Sequence, residues 1–152
     1  MTPANLSRKL ETSATHLLHR ATQCASELFA AEAGKDNLTP RQYAILVTIA
    51  EHEGVSQTGL VQRTGIDRST LADVIRRMIG KGLIQRKRTK EDARAYAVRL
   101  SDKGWRVLEN ADPGATKADQ RLLAGLSATE RKSFVDSLEK LITSAEAKGE
   151  KK

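Results

Sequence analysis

Cysteine is almost absent from this chain: Cys24 stands alone, so no disulfide can form within it. Three histidines and that one cysteine are scattered without the spacing of metal ligands, and no structural metal or cofactor is expected. No run of eighteen apolar residues occurs, and the opening MTPANLSRKLETS lacks the apolar core of a signal peptide, which reads as a cytoplasmic chain without membrane association. Missing too are GxGxxG, a phosphate-binding P-loop, and any Ser/His/Asp or Cys/His set in a recognisable setting, which argues against an enzyme working on an anionic substrate. Proline, glycine and serine are too sparse for a disordered chain. What remains at 152 residues is a globular unit, read as a single domain over residues 1–152 and large enough to bury a core.

Charge is the first positive signal. Lysine and arginine number 26 against 19 acids, a formal net charge of +7. Residues 63–94 hold ten basic and four acidic residues, so +6 of that +7 lies in one short stretch. Evenly spread charge would serve solubility, whereas a cluster of this kind is the footprint of a polyanionic partner, here read as duplex DNA.

The cluster coincides with an ordered series of elements in SQTGLVQRTGIDRSTLADVIRRMIGKGLIQRKRTKEDARAYAVRL. Ser56 can cap a helix running to about Arg63, Thr64-Gly65-Ile66 makes a short turn, and Asp67 caps a second helix. In that second helix Leu71, Val74, Ile75, Met78 and Ile79 fall at i, i+3, i+4, i+7 and i+8, a single apolar stripe. Ser69, Asp73 and Arg76 point away from it, with Thr70, Ala72 and Arg77 on its flanks, a face suited to base edges in a major groove. Gly80 and Gly82 end the helix, and residues 83–88 and 95–100 read as the two strands of a basic hairpin. The pattern predicts a winged helix-turn-helix over residues 38–100.

Amphipathic helices flank this unit. One is expected over residues 6–33, where Leu10, Ala14, Leu17, Ala21, Cys24 and Leu28 form a near-heptad seam too short to pair unaided. Thr39, Pro40 and Gln42 spell a capping box for the next helix. After the hairpin, Ser101 caps a helix in which Pro113 and Gly114 predict a kink rather than a break. Ser127 and Glu130 form a second capping box ahead of the stripe Phe134, Val135, Leu138, Leu141 and Ile142, with fraying expected from Ala145 onward. Residues 6–33 and 115–144 are the expected dimerisation helices.

With LTPRQYAIL, IRRMIGKGLIQRKR, the wing triplet DAR and LSDKG in this order, the chain resembles the MarR family of bacterial transcriptional regulators. The resemblance implies a mainly α fold with a small β-hairpin wing, and a homodimer with interlocked terminal helices. It also implies a pseudo-palindromic operator and repression until a small molecule or oxidant releases the DNA. By position, Ser69, Thr70, Asp73 and Arg76 match groove-facing residues of the family, Arg94 the wing arginine and Asp92 the acid that supports it. Ser56, Gln57, Thr58, Arg68, Arg77, Lys87, Arg88 and Lys90 complete the expected DNA contacts. For Asp73, bracing Arg76 or Arg77 is preferred over accepting from cytosine.

An effector pocket is implied between the dimer helices and the reading unit. His16, His19 and Arg20, with Tyr43 or Trp105 as an apolar wall, would suit an anionic ligand such as an aromatic acid or its acyl thioester. Cys24 is read as a core residue, with a redox-switched regulator as the alternative and an effector-free architectural DNA binder as a third.

Overall fold

The computed structural model describes residues 1–88 and 96–149. Among these residues seven helices and three short strands follow in the order α1 Pro3–Glu11, α2 Ala14–Ala33, α3 Pro40–Glu51, β1 Val55–Ser56, α4 Gln57–Thr64, α5 Arg68–Gly80, β2 Ile84–Arg88, β3 Tyr96–Leu100, α6 Asp102–Leu122 and α7 Ala128–Gly149, with a 3-10 turn, Gly34–Asp36, after α2. The fold is mainly helical with a small antiparallel wing. No helix among the described residues is long and apolar enough to cross a membrane.

Local hydrogen bonding sets most boundaries. The Thr39 side chain accepts from the Gln42 backbone N–H and the Gln42 side chain accepts from the Thr39 N–H, so both halves of the expected capping box form at α3. Ser127 and Glu130 make the same reciprocal pair ahead of α7. Ser56, Asp67 and Ser101 each accept from the backbone N–H three residues on, starting α4, α5 and α6. Each such cap satisfies a donor that the first helical turn leaves without an intrahelical partner.

The helix limits differ from the sequence reading at both ends of the chain, and α1 begins at Pro3 rather than at residue 6. The expected first helix is two, because the Ser13 hydroxyl accepts from His16 N–H and the Thr12 hydroxyl donates to the Arg8 carbonyl; these adjacent side chains end one helix and cap the next. At the other end, α7 continues to Gly149 rather than fraying from Ala145, since Ala-Glu-Ala-Lys is a run of strong helix formers. Pro113 lies inside an uninterrupted α6, so there is no break there.

The fully buried side chains are Ile45, Leu46 and Ile49 of α3, Leu60 of α4, Leu71, Ile75 and Met78 of α5, Ile84 of β2 and Val98 of β3. All belong to the predicted reading unit, and at about 1.5–3 kcal/mol per buried aliphatic side chain they dominate its cohesion. The sheet order is β1-β3-β2, all antiparallel, with Val55 opposite Val98 and Ile84 opposite Leu100. β1 was not anticipated; two residues are too few for a period-two pattern to register.

Only the C-terminal half of α2 enters this core. Phe29 and Ala33 are buried against it, whereas Leu17, Leu18 and Cys24 are exposed, as are Leu6 and Leu10 of α1. The reading of Cys24 as a core residue is therefore corrected for the single chain: of the seam that carries it, Leu28 packs against the core while Leu10, Leu17 and Cys24 stay exposed. No residue of α7 is buried, and its stripe of Phe134, Val135, Leu141 and Ile142 is likewise exposed. The far end of α7 approaches the turn between α4 and α5, where Glu146 and Gly149 share a cleft with Val61, Gly65 and Ile66.

Glu32 of α2 pairs with Arg121 at 2.7 Å and Lys117 at 3.5 Å, both on α6. The Arg121 hydrogen bond is the main cause holding the Glu32 carboxyl below its ordinary range. Tyr43 of α3 donates its hydroxyl to Asp112 of α6 at 2.7 Å. Burial and then that carboxylate push the Tyr43 phenol from its ordinary 10.0 up to about 12. A phenol kept neutral by the fold ionises more readily when unfolded. Its stabilisation is thus present below pH 10 and lost as pH rises towards 12. Urea midpoints measured across that range should fall more steeply for the natural chain than for Tyr43→Phe; equal slopes would mean that Tyr43 does not couple folding to alkaline titration.

Candidate nucleic-acid interface

The interface begins with the turn that sets α4 against α5. Gly65 adopts φ 70°, a left-handed conformation that suits glycine, and its N–H closes α4 on the Val61 carbonyl at 2.9 Å. Thr64 donates its hydroxyl to the Leu60 carbonyl and accepts from Ile66 N–H, fixing the other side of the same turn. Asp67 then receives both the backbone N–H and the hydroxyl of Thr70, at 2.9 and 2.7 Å. These bonds hold the Asp67 carboxyl below its ordinary range, with the Thr70 backbone the largest cause.

On α5 the stripe Leu71, Ile75 and Met78 is buried, so the opposite face is presented outward. Ser69 is exposed there, and the side chains of Arg76 and Arg77 are 74% and 69% exposed, enough to reach a ligand. Asp73 binds both guanidinium groups, Arg76 through Nη2 to Oδ1 and Arg77 through Nη2 to Oδ2 at 3.1 Å. This is the bracing geometry preferred from helical spacing. Thr70 has its hydroxyl turned back to the cap, and Ser56 likewise spends its hydroxyl on Gly59 N–H. Thr58 is exposed and accepts from Arg68 Nη1 at 3.4 Å, bringing the starts of α4 and α5 together; Gln57 is half-buried beside it.

Strand alternation divides the wing. Ile84, Arg86 and Arg88 share one face with their cross-strand partners Leu100, Val98 and Tyr96, while Gln85 and Lys87 occupy the other. Burial of Ile84, Val98 and Leu100 marks the first as the inward face, and Arg86 and Arg88 continue it beyond the core, exposed. Both place their guanidinium carbons over the Tyr96 ring, 5.0 and 5.8 Å from its centroid. Arg86 was absent from the expected contacts, although period-two counting from the apolar Ile84 would have put it beside Arg88. Lys90, Asp92 and Arg94 lie outside the described residues.

The expected effector residues are not gathered in one cavity of a single chain. Tyr43 packs against Phe29, with ring centroids 5.6 Å apart, and lines a cavity of about 210 Å³ with Phe29, Pro40, Ala115, Thr116 and Asp119. His16, His19 and Arg20 lie on α2 at least nine residues before Phe29, about 14 Å along the helix axis. His16 is half-buried, His19 and Arg20 are exposed, and Trp105 on α6 is 43% exposed.

The MarR family model matches residues 38–96, from the residue before the α3 cap to the first residue of β3. The transcriptional regulator HosA of Escherichia coli O157:H7 is 33% identical over 106 residues, covering 70% of this chain and 78% of that protein. This chain belongs to the MarR family. Among solved MarR-type regulators, PcaV from Streptomyces coelicolor, in complex with its natural ligand, superposes with a TM-score of 0.83 at 31% identity, covering 90% of this chain and 96% of that one. The repressor CouR bound to a 23-mer DNA duplex gives 0.80 at 27% identity, covering 88% and 95%. CouR bound to p-coumaroyl-CoA gives 0.79 at 26%, covering 88% and 94%. The chain is thus a MarR-type transcriptional regulator, and its relatives are regulators rather than enzymes.

Proposed function

We propose that this chain is a homodimeric, ligand-released repressor that reads duplex DNA with α5 and the β2–β3 wing. The observation carrying this reading is the outward face of α5, where exposed Arg76 and Arg77 share the Asp73 carboxylate beside an arginine-bearing wing. In that reading Ser69 and Arg76 meet base edges in the major groove. Arg68, Arg77, Lys87 and Lys90 neutralise phosphate, and Arg94, supported by Asp92, enters the minor groove. The exposed apolar residues of α1, the N-terminal half of α2 and α7 supply the dimer surface. Two copies would then address half-sites about one helical turn apart.

Effector control is read at the junction of α2, α3 and α6. Tyr43 borders a cavity there, and His16, His19 and the cation Arg20 stand on the exposed half of α2, next to the proposed dimer surface. An acid or acyl thioester held by them would alter dimer geometry, and it releases DNA only to the extent that it binds the incompetent dimer more tightly. CouR, which binds p-coumaroyl-CoA, supports this ligand class.

The decisive experiment is footprinting on the DNA around the gene, with Arg76→Ala beside the natural chain. Two protected half-sites are expected. Arg76→Ala should cost about 1–3 kcal/mol and relax preference at one position per half-site. Loss that is uniform across sequences would remove Arg76 from base reading, and absence of any protected site would remove the DNA-binding proposal.

A further inference from the structure

Of the two wing arginines that share one aromatic ring, Arg88 is an expected DNA contact, while Arg86 and the Tyr96 ring itself have no role in the reading above. Arg88 is directly opposite Tyr96 in the β2–β3 ladder and Arg86 lies one diagonal step away, paired with Val98. Their guanidinium carbons sit 5.0 Å (Arg86) and 5.8 Å (Arg88) from the Tyr96 ring centroid, both within the reach of a cation–π attraction. Two like charges spaced two residues apart on one strand face repel each other and, unassisted, splay into solvent. An electron-rich ring within reach of both opposes that repulsion and narrows the rotamers of both side chains. A guanidinium resting on an aromatic ring also keeps its in-plane N–H donors available for a phosphate fork, which an ammonium group cannot imitate.

We infer that Tyr96 is a positioning residue for DNA binding: its ring holds Arg86 and Arg88 as a preorganised pair of phosphate clamps on the inward face of the wing. This inference rests on the proposal that the wing meets duplex DNA, and adds to it a residue that touches no nucleic acid and an arginine, Arg86, that does. Tyr96 is half-buried at the first position of β3, where any β-forming residue would maintain the ladder. The ring is therefore required for the arginines and not for the strand.

A double-mutant cycle on operator affinity tests it. Tyr96→Phe retains the ring and should bind within about twofold of the natural chain, whereas Tyr96→Val should weaken binding by about 5- to 30-fold, the equivalent of two exposed cation–π contacts. The salt slope should stay unchanged in Tyr96→Val, because both charges remain. It should fall by about 1.8 in the double variant Arg86→Ala, Arg88→Ala, where two phosphate contacts are lost. In that arginine-free background, adding Tyr96→Val should change affinity less than twofold. An equal loss in both backgrounds, or a Phe variant as weak as the Val variant, overturns the inference. If Tyr96→Val lowers the melting temperature, the charge-conserving pair Arg86→Lys, Arg88→Lys decides instead: affinity must fall about fivefold or more, and unchanged affinity overturns the inference. A natural chain that retains no duplex at all refutes the DNA-binding reading itself, a result distinct from intact binding without coupling.

Discussion

Removal of residues 134–152 is expected to lower operator affinity by about two to four orders of magnitude while leaving the reading unit folded. Among the described residues the deleted segment contributes none that is buried, so the stability of α3, α4, α5 and the wing should be nearly unaffected. What it carries is Phe134, Val135, Leu141 and Ile142, each exposed by more than a third, on a helix whose far end borders the α4–α5 turn. If that stripe meets a second copy, its loss separates the two reading heads, and the second half-site contact ceases to be intramolecular. Sedimentation and titration on duplexes bearing one or two half-sites check this together. The truncated chain should be monomeric and should bind both duplexes equally weakly; a truncated chain that is still a dimer would assign the interface to α1 and α2 alone.

Gly114→Ala should destabilise the fold by about 3 kcal/mol, the reverse of what helix propensity alone would give. Alanine is worth about 1 kcal/mol more than glycine inside a helix, and Gly114 sits within α6. A Cβ placed there, however, would stand 2.2 Å from the Glu32 carbonyl oxygen and 3.0 Å from the Ala33 Cα. Backbone cannot rotate out of the way as a flexible side chain can, so α2 and α6 would have to separate, disturbing the Glu32 pairs with Lys117 and Arg121. Chemical denaturation of the variant gives the magnitude directly. A midpoint at or above that of the natural chain would show that the two helices can part without cost.

These features divide by what a sequence can carry. Caps at Thr39, Asp67, Ser101 and Ser127, and the stripe of α5, depend on residues three or four apart, so their partners are written next to them. The same locality would have revealed the break at Thr12 and Ser13, where the regular apolar seam outweighed two hydroxyl side chains. Gly104 and Gly114 are different: their close contacts, with Leu83 and Glu32, join residues distant along the chain. No adjacent pattern distinguishes them from turn glycines. Cys24, exposed in the single chain, is a related case, because an apolar stripe shows that a face needs covering without saying which chain covers it. Of the candidate interface, the outward α5 face with Ser69, Asp73, Arg76 and Arg77 is legible from helical spacing, while the stacking of Arg86 and Arg88 requires the hairpin register.

The carboxylate of Asp73 gives the reading helix an internal competitor. If Arg76 reads a base edge as proposed, the Asp73 carboxylate that it shares with Arg77 is a local alternative partner with which a base acceptor has to compete. A guanine edge offers two acceptors in the geometry of the guanidinium fork and can compensate for the exchange; a base edge that presents a donor at that place cannot. On that proposal a wrong sequence leaves the arginine on Asp73, and discrimination arises from the unfavourable exchange as much as from the favourable contact.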